Sequence, residues 1–482
     1  MSNVKFMSGE NIPLEMHKVR MVQKVNLLPV EERLECITDA GFNTFLLKNR
    51  DVFMDMLTDS GVNAMSQNQY AAMMRADDSY AGSETFYRLE AVLKDIFGME
   101  YFLPAHQGRA CENIIAQTLV KPGMVTIMNY HFTTTKAHIT LKGGIVEEIV
   151  SDEGLKINSD LPFKGDIDIN KLNDLIAKYG KDKIAFVRIE AGTNLIGGQP
   201  VSMQNMREVS KICRSQGITL VYDASLLGDN LYFIKVRDPQ YKDVPIKAIT
   251  REITSMMDVV YFSARKLGSA RGGGILVSSK ELYLKMRELV TLYEGFLTYG
   301  GMSVREMEAL SVGLEETMDF DVINQTPIIV EALCNELLKS GVPVVTPPGG
   351  LGCHVDAMEF CSHIPKEEYR AGALAAAIFI ASGVRCMERG TLSEQRNEDG
   401  SERFAEMELA RIAVPRRVFT LSQVKYTADR INWLYKNRNI IGGLRFTEEP
   451  AMLRFFFGRL EPIGDWPTRL ATQFRKDFGE SL

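Results

Sequence analysis

No stretch of these 482 residues is apolar for long enough to span a bilayer; the longest candidate, around Ala373 to Ile380, stops far short. The opening residues, Met1-Ser-Asn-Val-Lys-Phe, lack the charged-then-apolar pattern of a secretion signal. There is no long basic run and the formal net charge is −6, so neither nucleic acid nor a membrane is an expected partner. Seven cysteines (Cys36, Cys111, Cys213, Cys334, Cys353, Cys361 and Cys386) are scattered, odd in number and without C-x-x-C spacing. That argues against a zinc site or disulfide framework and for a reducing, cytoplasmic compartment. Internal repeats and low-complexity linkers are missing too. What is there is 45% hydrophobic and 24% charged, ordinary for a globular chain with a large core. Its length suggests two or three structural domains.

The first 30 or so residues, punctuated by Pro13 and Pro29, read as a docking arm. Short helical patterns run from Val30 to about Leu57, and residues 57–66 are polar and turn-rich. Then short apolar strands alternate with helices. Tyr101-Phe-Leu-Pro-Ala, Met124-Val-Thr-Ile-Met, Ile184-Ala-Phe-Val-Arg-Ile, Ile218-Thr-Leu-Val-Tyr-Asp and Val259-Val-Tyr-Phe are the strands; 110–119 and 203–215 are helices. Such alternation implies a mostly parallel sheet covered on both faces, with functional groups at the carboxyl ends of its strands. After about Glu316 the texture becomes α+β: helices over 328–339 and 370–382, strand-like runs over 385–390 and 411–417, a solvated loop over 397–402 and, from Gly464, a terminal appendage carrying Trp466. The expected boundaries are an arm over 1–28, a small domain from 29–66 plus 319–482, and a large domain over 67–318.

The polar clusters at strand ends suggest chemistry. Lys266 follows the strand ending at Phe262, with Ser263 before it and Gly272-Gly-Gly after it. Alone it reads more readily as a solvated loop lysine. At the edge of a packed sheet, desolvation lowers an amine's pKa and suits it to Schiff-base chemistry. Gln107, Gly108 and Arg109 lie at a helix start, where free amides can hold a phosphate. Phe132 could stack on a planar ring, and Asp223 could pair with a protonated ring nitrogen. Phosphate cup, stacking ring, aspartate and lysine, in that order, is the order of pyridoxal-phosphate (PLP) enzymes of the aspartate-aminotransferase fold.

The resemblance narrows further. Leu57-Thr-Asp-Ser-Gly, Tyr80-Ala-Gly-Ser-Glu, His106-Gln-Gly-Arg, Phe132-Thr-Thr-Thr, Asn194-Leu-x-Gly-Gly-Gln-Pro, Tyr293-Glu-Gly, Tyr299-Gly-Gly and Leu453-Arg-Phe-Phe match the β-eliminating lyases over roughly residues 10–462. This family holds tyrosine phenol-lyase and tryptophanase. The resemblance implies a fold-type-I α/β enzyme in which Lys266 carries the cofactor and moves the Cα proton. Gln107, Gly108, Arg109 and Ser263 would hold the phosphate, Phe132 the ring, Asp223 the pyridinium, and Asn194 would lie near the phenolic oxygen and the substrate carboxylate. Arg411 would grip that carboxylate, a task for a bidentate fork, and Tyr80, supplied by a neighbouring subunit, would protonate the leaving group. A homotetramer built as a dimer of dimers is implied with it. Thr133 and Arg389 favour the tyrosine branch, since both can polarise a phenolic hydroxyl. Phe45, Phe455 and Phe456 match the pocket for the aromatic ring, where core packing is the rival reading, and Phe296 stands where the family has methionine.

Departures are equally specific. Where the family reads Asp-x-Thr-Arg, this chain reads Asp223-Ala-Ser-Leu226, which deprives Tyr80 of its usual arginine. Arg265 precedes the lysine, and Leu267-Gly-Ser-Ala-Arg271 follows it in place of an Asp-Cys-type continuation. At the family's potassium site Gly61 remains, but a glutamate is Asp78 and an asparagine is Arg271, which can weaken or abolish the ion. The expected reaction is β-elimination of L-tyrosine to phenol, pyruvate and ammonia. The rivals are another amino acid (tryptophan, an S-substituted cysteine or a specialised-metabolism substrate) and a non-catalytic scaffold.

Overall fold

The computed structural model describes residues 3–481 and divides the chain into two compact units: Ser60–Leu155 with Asp160–Pro327, and Met1–Asp59 with Lys156–Ser159 and Ile328–Leu482. The first is built on a seven-stranded sheet of β1 (Tyr101–Ala105), β2 (Val125–Met128), β3 (Ile145–Glu148), β4 (Ile184–Glu190), β5 (Leu220–Asp223), β6 (Val259–Ser263) and β7 (Gly273–Val277). Their order across the sheet is β1-β7-β6-β5-β4-β2-β3. Only β7 runs against its neighbours, so the other six end on the same edge.

Alternation along each strand explains why the sheet is covered twice. Val260 and Phe262 enter one core cluster, while Val259 and Tyr261, pointing the other way, enter the second. Helix α1 (Glu84–Phe97) is started by Ser83, whose hydroxyl accepts from the Phe86 amide, and stopped by Gly98 at φ 68°; it buries Phe86, Leu89, Leu93, Ile96 and Phe97. Helices α2 (Gly108–Leu119) and α3 (Thr133–Leu141) follow β1 and β2. The polar turn expected around Lys266 is instead a single helical turn, α4 (Ala264–Leu267). Strand β3 has no counterpart among the expected strands: at the sheet edge it is only partly buried and carries no apolar run.

The second unit holds a three-stranded antiparallel sheet of β8 (Gly352–Asp356), β9 (Met387–Arg389) and β10 (Leu409–Ala413), ordered β8-β10-β9. Helix α5 (Arg370–Ser382) is buried from Ala371 onward, which accounts for its apolar run: it is a core helix, hydrophobic all round. Two expectations are corrected here. The run over 411–417 is strand only to Ala413, because Pro415 has no N–H to continue the ladder and Arg417 turns at φ 62°. The tail is no appendage: α6 (Trp466–Phe478) buries Trp466 and Phe474 completely, with Trp433 edge-on to Phe474 at 5.5 Å. A short antiparallel hairpin, Asn3–Lys5 with Asn11–Pro13, begins the described chain.

Candidate active site

Five of the six strands that end on the common edge, all but β3, lead into candidate site residues there. Ser263 ends β6, and one helical turn later the half-buried Lys266 places Nζ 6.0 Å from the centre of the Phe132 ring. Phe132 is the residue before α3. Gln107 is the residue before α2, so the amides of Gly108 and Arg109 open the first helical turn without intrahelical partners. Two glycines allow this helix end to come down onto β6 and β7. A Cβ on Gly108 would lie 3.0 Å from Ser263 Cβ, and one on Gly273 would lie 2.9 Å from the Gly108 nitrogen. Ser225 joins the same corner, its hydroxyl accepting from the Ser263 amide at 3.1 Å. The result is a cradle of backbone donors and small hydroxyls beside an amine.

Beneath it lies a buried charge cluster. Glu190, Asp223 and Tyr261 are lateral neighbours on β4, β5 and β6. Asp223 Oδ2 accepts from Arg188 Nη2 at 2.6 Å and from the Tyr261 hydroxyl at 2.8 Å, while Oδ1 accepts from the Ser225 amide at 3.0 Å. A carboxylate has room for about four such bonds, so an acceptor site on Oδ1 remains. Burial works against the charge of Arg188, yet Tyr261, Glu190, Asp223 and Glu112 around it raise its pKa well above the usual arginine range. Burial pushes the Glu112 carboxyl up to about 7, against the pull of the Thr134 and Thr135 hydroxyls at 2.5 and 2.7 Å. The third threonine differs: Thr133 Oγ1 is buried with no hydrogen-bond partner. Asn194, 1% exposed, donates its amide to Glu190 Oε1 at 3.1 Å. A planar, phosphorylated, ring-bearing group fits these residues: a cradle that a Cβ would fill, a ring face, a fixed carboxylate and an orphaned hydroxyl.

Leu226 is 6% exposed and lies 3.0 Å, at its Cβ, from where a Gly192 Cβ would be; it is core. Tyr80 is 74% exposed, stacked on Phe296 at 5.8 Å and edge-on to Tyr299 at 5.6 Å, away from any acidic or basic partner among the described residues. Gly61 backs onto the Arg265 guanidinium: a Cβ there would lie 2.9 Å from Arg265 Cζ. A fixed cation so placed does not fit a potassium ion, and Asp78 is exposed.

In the other unit, Arg389 and Arg411 are both buried. Met387 pairs with Arg411 across β9 and β10, so Arg389, two residues on, shares its face diagonally. Burial first, then the charge of Arg389, hold Arg411 well below the usual arginine range, with Asp59 opposing; its Nη2 donates to the Leu57 carbonyl at 2.7 Å. Two guanidiniums on one buried face form a ready anion receptor. Phe45 packs edge-on to Phe455 at 5.5 Å and to Phe456 at 4.9 Å. Phe45 and Phe455 line a cavity of about 360 Å³, mouth included, with Glu388 and Leu392. Burial, then Glu408, push the Glu388 carboxyl up to about 8.

Sequence reasoning missed Arg188, Glu190, Ser225 and Glu388. A signal existed for the first two: charges two apart on one face of a wholly buried strand each require a partner.

The profile of the beta-eliminating lyases matches residues 55–430. Tyrosine phenol-lyase of Symbiobacterium sp. (strain SC-1) is 42% identical over 451 residues, covering 93% of this chain and 98% of that protein. The tyrosine phenol-lyase of Fusobacterium nucleatum subsp. nucleatum is 42% identical over 455 residues, covering 94% and 99%. Among solved structures, Sphingomonas wittichii serine palmitoyltransferase superposes with a TM-score of 0.56 at 12% identity, over 80% of this chain and 88% of that one. A serine palmitoyltransferase with its PLP internal aldimine gives 0.55 at 12% identity, over 81% and 89%. At such identity the likeness concerns the fold.

Proposed function

The chain belongs to the β-eliminating lyase family, and from that premise we propose that it is a pyridoxal-phosphate-dependent lyase cleaving L-tyrosine to phenol, pyruvate and ammonia. The observation that carries the reading is the Lys266 amine 6.0 Å from the Phe132 ring, in the same unit as an Asp223 carboxylate fixed by three donors. When bound, pyridoxal phosphate supplies an electron sink that acidifies the α-hydrogen of the attached amino acid.

The protein's part is positioning and proton handling. Amides at Gln107, Gly108 and Arg109, with the hydroxyls of Ser263 and Ser225, would hold the phosphate. Phe132 would cover the ring, and Asp223, with an acceptor site left on Oδ1, would hold the ring nitrogen. Lys266 would hold the cofactor, and its amine would take the Cα proton and return one. Arg411 grips the substrate carboxylate, a task in which Asn194 also takes part. The orphaned Thr133 hydroxyl and the Arg389 guanidinium polarise the ring hydroxyl, so that the carbon bearing the side chain accepts a proton and leaves as phenol. Phe45, Phe455, Phe456 and Phe296 are the apolar side chains that would receive the ring. Tyr80, exposed on its own subunit, serves as general acid in a neighbouring one, which makes a dimer the minimal unit within a homotetramer.

Leu226 favours a second reading. A buried leucine gives Tyr80 no cationic support, and an S-substituted cysteine, whose sulfur leaves without ring protonation, needs less acid help. Absorbance spectra of the yellow holoenzyme with tyrosine, tryptophan and S-substituted cysteines, followed by pyruvate assay, separate the two. Tyrosine alone yielding pyruvate supports the first; turnover only of the cysteines establishes the second. Wild-type spectra retained in Lys266→Ala would defeat both.

A further inference from the structure

One buried charge has no task in the scheme above. Arg188 is 0% exposed in the middle of the sheet, donating Nη2 to Asp223 Oδ2 at 2.6 Å, Nη1 to Glu190 Oε2 at 3.1 Å and Nε to the Tyr261 hydroxyl at 3.0 Å. Burying a guanidinium is unfavourable unless such partners offset its desolvation, and an apolar residue would fill a sheet position without that penalty. We propose that Arg188 and Glu190 are positioning residues that clamp Asp223 and set the positive charge carried by the cofactor's ring nitrogen, an inference that rests on the pyridoxal-phosphate reading above.

Geometry supplies the clamp. Arg188 and Tyr261 occupy Oδ2, so the carboxylate cannot rotate, and only Oδ1 faces onward, with the Ser225 amide on one side. Charge supplies the tuning. Asp223 and Glu190 bring two negative charges and Arg188 one positive, so a protonated ring nitrogen makes the cluster neutral. The other groups facing it are neutral donors or half-neutral. Burial raises the Tyr261 phenol on β6 and the Cys111 thiol on α2 well above their ordinary ranges, and Glu112 on α2 titrates at about 7. Burial also raises Glu190, opposed by Arg188 and by the Asn194 amide. Without Glu190, Arg188 alone would cancel Asp223, and a ring proton would then be an uncompensated buried charge.

The test is nitrogen NMR of holoenzyme reconstituted with pyridoxal phosphate labelled with ¹⁵N in the ring, titrated with pH. In Glu190→Gln the ring nitrogen is expected to lose its proton at least about one pH unit below wild type, the usual effect of one charge at this range. Adding Arg188→Met restores neutrality, so the double variant is expected to return toward the wild-type titration. Should that double variant not fold, Arg188→Lys, which keeps the charge, is expected to titrate as wild type. An unchanged titration in Glu190→Gln, or a double variant shifted further down, overturns the proposal; a merely structural pair would lower the melting temperature in both and show no restoration. Asp223→Ala separates the parent reading. If it moves the ring signal while Glu190→Gln does not, only the clamp fails; if it moves nothing, the cofactor placement itself is wrong.

Discussion

Replacing Glu388 by glutamine is expected to remove a large pH dependence from the stability of this protein. One carboxyl oxygen accepts from Ser393 Oγ at 2.9 Å, and the other is buried with no partner. Burial, with Glu408 adding to it, pushes the group from 4.5 up to about 8. In the unfolded chain the same carboxyl titrates near 4.5, so above that pH the folded protein keeps a proton that the unfolded chain has released. The associated stability is complete below pH 4.5, falls as pH rises, and is gone once pH passes about 8. At about 1.4 kcal/mol per pH unit, the interval from about pH 5 to pH 8 spans on the order of 4 kcal/mol. Glu112 and Asp166, both pushed up to about 7 by burial, act in the same sense and remain in the variant. Glutamine copies the shape and neutrality of the protonated acid, so Glu388→Gln should match wild type near pH 5 and exceed it near pH 8. Denaturant midpoints measured across this range decide the matter. Parallel pH curves for the two proteins would refute the reasoning.

Three further outcomes follow from single contacts. Gly108→Ala drives a Cβ to 3.0 Å from Ser263 Cβ and 3.3 Å from its Cα, lifting the helix end from the cradle. Cofactor affinity, read by absorbance titration, should fall by about tenfold, or ~1.4 kcal/mol; an unchanged affinity would argue against a phosphate site there. Arg411→Lys keeps the charge and loses the fork, so KM for the amino acid should rise by about 10- to 100-fold, the worth of one or two charged hydrogen bonds, with a smaller change in kcat. Leu226→Arg forces a guanidinium into a position 6% exposed against Gly192, at a cost of roughly 3 kcal/mol, and thermal melts should show a clear loss of stability.

Much of the large unit was legible because buried parallel strands are written as short apolar runs, and the residue ending each run falls on one common edge of the sheet. Asp223 and Ser263 were readable that way. Strand β3 was not, since an edge strand needs no apolar run, and Trp466 was misread because a helix one residue past a loop looks terminal until its buried face is known. The charge cluster shows a different limit. Arg188 and Glu190 stood in plain view as charges inside an apolar strand, but their partners come from Asp223 and Tyr261, 35 and 73 residues after Arg188. Leu226 stands where the family has arginine; in the fold it is a packed core residue, as its burial and its contact with Gly192 reveal.

The central claim is that this chain eliminates phenol from L-tyrosine. Purified holoenzyme incubated with L-tyrosine, with phenol, pyruvate and ammonia all quantified, tests it most directly. The account predicts the three products in equal amounts, abolished in Lys266→Ala. Absence of phenol and pyruvate from enzyme that retains its cofactor absorbance would contradict it.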